Sequence, residues 1–135
     1  MAKEALLVID MVYDFVYGRL RCEPCAAIVD NLRRLIGVAR SSGVPVIYVN
    51  DSHLPTDPEL RLWGEHSMKG ESSSRVIEEL NPSVGDYVLE KRTYSAFFET
   101  GLDTLLRGLG VETVVLTGIH THICVKHTAA DAFFR

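Results

Sequence analysis

Long apolar runs are missing from this chain of 135 residues. Its most continuous stretches, such as Ala5-Leu6-Leu7-Val8-Ile9, are far shorter than the roughly 20 residues a membrane-spanning helix needs. An excess of positive charge is missing too. Fourteen lysines and arginines against 18 acids leave a net charge of −4, which gives no support to a nucleic-acid-binding surface. Cysteine is scarce, and three is an odd number, so no disulfide framework is expected. Met1-Ala2-Lys3-Glu4 leads straight into an apolar strand, so no signal peptide is read there. A cytoplasmic, reducing location is the expectation, and it would keep a reactive thiol usable. Internal repeats, low-complexity tracts and linkers are absent as well. What is left is one globular domain over residues 1–135. Its 47 % hydrophobic and 24 % charged residues are ordinary for such a domain, and its length suffices for a core.

What is present alternates. Ala5–Ile9, Val44–Val49, Asp86–Glu90 and Val111–Thr117 read as strands. Between the first two, Ile28, Leu32, Leu35, Ile36 and Ala39 recur at helical spacing, with Pro24 at a first-turn position and Ser41-Ser42-Gly43 at the end. A short helix is predicted over Ser74–Leu80, stopped by Asn81-Pro82. A capping box is predicted at Thr100–Asp103, before Leu105, Leu106 and Leu109. Such alternation implies right-handed βαβ units and a mainly parallel sheet with helices on both faces, a three-layer α/β/α fold.

In open α/β sheets, ligand sites form beyond the carboxyl ends of the strands. Three such ends carry reactive groups. Asp10 follows the first strand, and Lys91 ends the Asp86–Glu90 run. Cys124 sits where the Val111–Thr117 strand, broken by Gly118, gives way to a helix-like segment. The positive end of that helix favours a nucleophilic thiolate. Each group also has an ordinary structural reading: a buried small hydrophobe, a cap, a solvated charge. Their coincidence is what points to nucleophilic chemistry, in which a thiol needs a base and a cation. Asp51-Ser52-His53 places two ligand types on one side of an extended segment, and His66 lies in the loop beyond. That set suits zinc, iron or manganese, although loop histidines are often satisfied without a metal. Cys22-Glu23-Pro24-Cys25 is a C-x-x-C that follows no strand, so structural cysteines outweigh a redox or interaction module. His120 and His122 are expected at a pocket mouth, and His127 on the helix surface or in the core.

The chain also resembles a known family. The residues that carry the resemblance are Leu7–Phe15, Tyr48–His53, Trp63–Gly70, Glu90–Phe98 and Thr117–Val125, collinear over nearly the whole length. They are similar to the isochorismatase-like cysteine hydrolases, with their Rossmann-like sheet, and within these to nicotinamidase/pyrazinamidase. The resemblance implies an Asp10, Lys91, Cys124 triad that hydrolyses an amide through a thioester. It implies an oxyanion hole from the backbone N–H groups of His120 and Cys124, with a non-proline cis peptide at Ile119–His120. It implies a divalent metal, zinc foremost, on Asp51, His53 and His66, anchoring the ring nitrogen of nicotinamide. Phe15 and Trp63 would wall the ring. His120 departs from the small residue usual at its position. The expected activity is nicotinamidase, a step of NAD metabolism. A ureido or carbamoyl amidohydrolase is the alternative, and isochorismatase itself is disfavoured because its reaction uses no nucleophilic cysteine. The helix ending in Phe133-Phe134-Arg135 has no stop signal, and relatives continue with further sheet and helix. Either C-terminal elements are lacking here or a partner, such as a second copy in a homo-oligomer, covers the region.

Overall fold

The computed structural model describes residues 3–135. Four strands, β1 (Glu4–Ile9), β2 (Val46–Asp51), β3 (Tyr87–Lys91) and β4 (Thr113–Gly118), form one sheet in the order β3-β2-β1-β4. Every pairing is parallel. The chain builds outward from β1 through β2 to β3, then returns to place β4 on the other side of β1. The strand order therefore reverses between β1 and β4, the place where such sheets open a crevice. No helix among the described residues is long and apolar enough to cross a membrane.

The side-chain alternation of β1 and β2 explains why both read as unbroken apolar runs. Leu6, Val8, Val46 and Tyr48 face one layer, where Leu32, Ile36 and Ala39 of α3 (Val29–Ser41) pack with Phe15 and Val16 of α1 (Tyr13–Val16). Ala5, Leu7, Ile9, Ile47 and Val49 face the other. There they meet Ala96, Phe97 and, from α5 (Leu102–Gly108), Leu102 and Leu106. Strands buried on both sides need apolar residues at every position. The expected three layers are present. The remaining helices are α2 (Glu23–Ala27), α4 (Leu60–Trp63) and α6 (Lys126–Phe134).

Three local expectations are corrected. The helix after Pro24 is two, α2 and α3, meeting at Ile28. The helix expected over Ser74–Leu80 is instead two short 3₁₀ turns, Ser72–Ser74 and Glu78–Leu80. The residues between them bond to the chain beyond β1: Tyr13 N–H donates to the Arg75 carbonyl at 3.1 Å and Ile77 N–H to Met11 at 3.0 Å. Those backbone groups cannot also make helical bonds. No capping box forms at Thr100, because Gly101 takes the cap position and the Thr100 hydroxyl donates to Ala96 O at 2.5 Å.

Candidate active site

The sheet register brings the three strand ends together. Ile9 lies opposite Val49 and Gly118, and Asp51 opposite Lys91. Asp10 follows with φ 56°, a left-handed conformation that Asp tolerates better than most residues. Its carboxylate turns toward β2, where Oδ1 accepts Asp51 N–H at 2.9 Å. β2 runs two residues past the expected Val49, so Asp51 is its last residue rather than a loop residue.

Gly118 closes the other side. Its φ is 105°, and a Cβ there would lie 2.0 Å from the Ile9 carbonyl oxygen. Only glycine lets β4 approach β1 so closely at this point. The Ile119–His120 peptide that follows is cis, as expected. A wide helical turn, Thr121–Val125, then carries Cys124 into α6. The His120 amide, just ahead of that turn, bonds to no other backbone acceptor among the described residues.

Lys91 is the hub. Its ammonium is 3.0 Å from Asp10 Oδ2 and 3.5 Å from Cys124 Sγ, and it also pairs with Asp51 Oδ1. All four residues are buried. Burial alone would neutralise Lys91, but the carboxylates of Asp10 and Asp51 outweigh it and hold the amine charged. Burial, then the charge of Asp51, push Asp10 up to about 6 against the pull of Lys91. The Cys124 thiol is pushed up as well, by burial first and then by Asp10. The pull of the helix terminus toward a thiolate is opposed here. Two carboxylates stand close to the sulfur, and together with burial they outweigh Lys91 and the helix terminus. Burial and these acids favour the protonated thiol, which stands beside a carboxylate able to take its proton.

A second cluster abuts the first. Asp51, His53, Glu59 and His66 each bring one ligand atom within 4.8 Å of the others. His53 Nε2 lies 3.5 Å from Asp51 Oδ2 and 3.9 Å from Glu59 Oε2, while His66 Nε2 is 4.0 Å from Asp51 Oδ2. His66 Nδ1–H donates to the Gly64 carbonyl at 2.7 Å, which leaves its Nε2 facing the cluster. Burial lowers the affinity of His53 for a proton, but Asp51, Asp57 and Glu59 raise it beyond the ordinary value. His53 Nε2 and Glu59 Oε1 are buried without a hydrogen-bond partner. Orphaned imidazole and carboxylate donors converging in this way suit a divalent cation. Asp51 serves both clusters, one oxygen to each.

A cavity of about 240 Å³ opens onto both. Phe15, Leu20, Trp63, Tyr94 and Ile123 give it apolar walls, and Asp51, Glu59, His66, His120, His122 and Cys124 its polar points. Both expected ring walls, Phe15 and Trp63, are there. Trp63 is steadied by an indole N–H bond to Tyr94 OH at 3.2 Å. Asp14 holds the His66 loop over the site, accepting Ser67 N–H at 2.7 Å.

Glu59, Tyr94 and Asp14 were not singled out as functional in the sequence. Only an acid in the loop between His53 and His66 hinted at the first. His120 and His122 line the cavity as expected. His127 is on the surface, its ring donating to Ile123 O at 2.7 Å. Cys22 and Cys25, expected not to form part of a disulfide framework, are joined to each other, and Cys22 Sγ is 4.0 Å from His120 Nδ1.

Comparison with known proteins gives a consistent picture. A family model described as the isochorismatase domain matches residues 4–135. The chain is similar to the solved N-carbamoylsarcosine amidase of Thermoplasma acidophilum, with 56 % identity and a TM-score of 0.96 over 98 % of this chain and 77 % of that one. It is also similar to the pyrazinamidase of Pyrococcus horikoshii, solved in complex with zinc, at 26 % identity and a TM-score of 0.91, covering 98 % and 79 %. Ureidoacrylate amidohydrolase of Yersinia enterocolitica is 33 % identical over 130 residues, 81 % of this chain. The chain spans about half of that relative's length, 56 %.

Proposed function

This chain belongs to the isochorismatase family of hydrolases, and from that premise we propose that it is a cysteine amidohydrolase for small neutral heteroaromatic amides, nicotinamide and pyrazinamide foremost. The observation that carries the reading is one buried ammonium, Lys91, held 3.0 Å from the Asp10 carboxylate and 3.5 Å from the sulfur of Cys124, which lines a cavity.

Asp10 is the base. It takes the thiol proton as Cys124 Sγ attacks the amide carbon, then gives that proton to the departing amine so that ammonia leaves. The carbonyl oxygen, negative in the tetrahedral intermediate, is met by the His120 and Cys124 amides. Water next attacks the thioester, with Asp10 again accepting a proton, and the acid is released. Lys91 keeps Asp10 ionised above its pKa and offsets the negative charge that gathers on sulfur. Asp51, His53, Glu59 and His66 would hold a divalent ion, zinc foremost, which when bound supplies a Lewis-acid handle for a ring nitrogen. The aromatic walls suit a flat ring.

A second reading has its own support. The 56 % identity to N-carbamoylsarcosine amidase favours a carbamoyl amide. One assay separates the two: ammonia release from nicotinamide, pyrazinamide, N-carbamoylsarcosine and ureidoacrylate, with and without a chelator. The proposal expects turnover of the first two, lost on chelation, and none in Cys124→Ala. Turnover of the carbamoyl amides alone, indifferent to chelator, would replace it with the second reading.

A further inference from the structure

We propose that Asp57 is a positioning residue that makes His53 a metal ligand, by holding its imidazole in the tautomer whose bare Nε2 faces Asp51, Glu59 and His66. This rests on reading those four residues as a divalent-ion site.

The argument starts from donors and acceptors. Asp57 Oδ2 lies 3.1 Å from His53 Nδ1 and accepts Leu54 N–H at 3.0 Å. Oδ1 accepts Arg92 Nε–H at 3.0 Å, and a second guanidinium nitrogen bonds the same oxygen. Asp57 is thus ion-paired with the Arg92 guanidinium, the partner of a carboxylate. An ionised carboxylate only accepts hydrogen bonds, so the proton on this edge of His53 belongs to Nδ1. A neutral imidazole carries one N–H, and Nε2 is then a lone pair. His53 is fully buried, so no water competes for either nitrogen. The lone pair points at carboxylates and at another imidazole, a direction that a cation alone makes favourable.

The loop is built to deliver this contact. Asp57 N–H donates to Leu54 O at 3.0 Å, closing a tight turn that folds the Asp57 side chain back onto the residue after His53. Arg92 follows Lys91 directly, so the strand end that supplies the hub ammonium also anchors Asp57. Asp57 is absent from the wall of the cavity that holds Cys124, and it acts through His53.

Asp57→Asn keeps the shape and reverses the logic. Arg92, which donates twice to one oxygen where Leu54 N–H donates once to the other, selects the amide oxygen, and the amide N–H₂ then faces His53 at the expense of the Leu54 bond. Nδ1 must then accept, and the proton moves to Nε2. Three readouts test this. In two-bond ¹H–¹⁵N spectra of the metal-free protein at alkaline pH, wild-type His53 should carry its proton on Nδ1 and the variant on Nε2. The zinc Kd, measured by competition with a chromophoric chelator, should rise about 10- to 100-fold in the variant. Alkylation of Cys124 in metal-free protein should be unchanged, which a general loss of structure would not permit. A wild-type proton on Nε2, or a variant that keeps wild-type zinc affinity, overturns the proposal. If the variant does not fold, the wild-type spectrum still decides. If wild-type protein binds no zinc, the divalent-ion reading falls, and the tautomer spectra alone decide for or against Asp57.

Discussion

Asp10 shows how one residue can be costly to the fold and needed by the site. Its carboxyl is raised from 3.8 to about 6, chiefly by burial and secondly by Asp51. Between those values the folded chain holds the proton more tightly than the unfolded chain does. Stability therefore falls as pH rises through that window, while the base form needed for turnover accumulates. Below about pH 6, kcat/KM is expected to drop about tenfold per pH unit. Asp10→Asn should abolish turnover and flatten the dependence of Tm on pH between the two values. A pH–rate profile and thermal melts check both, and an acid limb centred near an ordinary carboxylate pKa would remove Asp10 from the role of base. At this scale the sequence was informative where chemistry is rare: an acid, a lysine and a thiol at strand ends stand out. The closeness of Asp51 to the Cys124 sulfur was not legible, because it depends on strand ends brought together by the sheet register. Glu59 was not legible either, since an acid in a polar loop looks like solvated charge until the turn at Asp57 folds it inward.

Among elements, the strands were legible and the short helices were not. A strand buried on both faces repeats apolar residues, whatever follows it in the chain. The 3₁₀ turns flanking Arg75–Ile77 exist because backbone groups there bond to Met11 and Tyr13, which no local pattern reports. The β4–α6 connection gives a test of how tightly elements set the site. Gly118→Ala places a methyl 2.0 Å from the Ile9 oxygen at a φ of +105°, so β4 must move away from β1. A loss of about 3 kcal/mol or more is expected from chemical denaturation, with turnover lost alongside. Gly37→Ala is the control. It lies inside α3 with nothing within 4 Å of the new carbon, and should gain up to about 1 kcal/mol.

At the scale of the whole molecule, β4 is paired on one side by β1 and, among the described residues, by nothing on the other. Phe133 and Phe134 at the end of α6 are 85 % and 81 % exposed, and Val115 of β4 is 41 % exposed. An unpaired edge beside bare aromatic rings is a surface that either a second copy or further chain would cover. If a second copy covers it, light scattering is expected to give a multiple of the chain mass and Phe133→Ser with Phe134→Ser to return it to a single chain, while an intact mass above that of these 135 residues would point to further chain. A monomer that keeps full activity would set this expectation aside. Parallel strands have another consequence, since they all point one way. Asp10, Asp51, Lys91 and Cys124 crowd one rim of the sheet, and the opposite rim is made of plain turns at Gly43, Gly85 and Gly110. Val84, fully exposed beside Gly85, marks that far rim as a place to graft a tag or tether the enzyme to a support, its cavity facing outward and undisturbed.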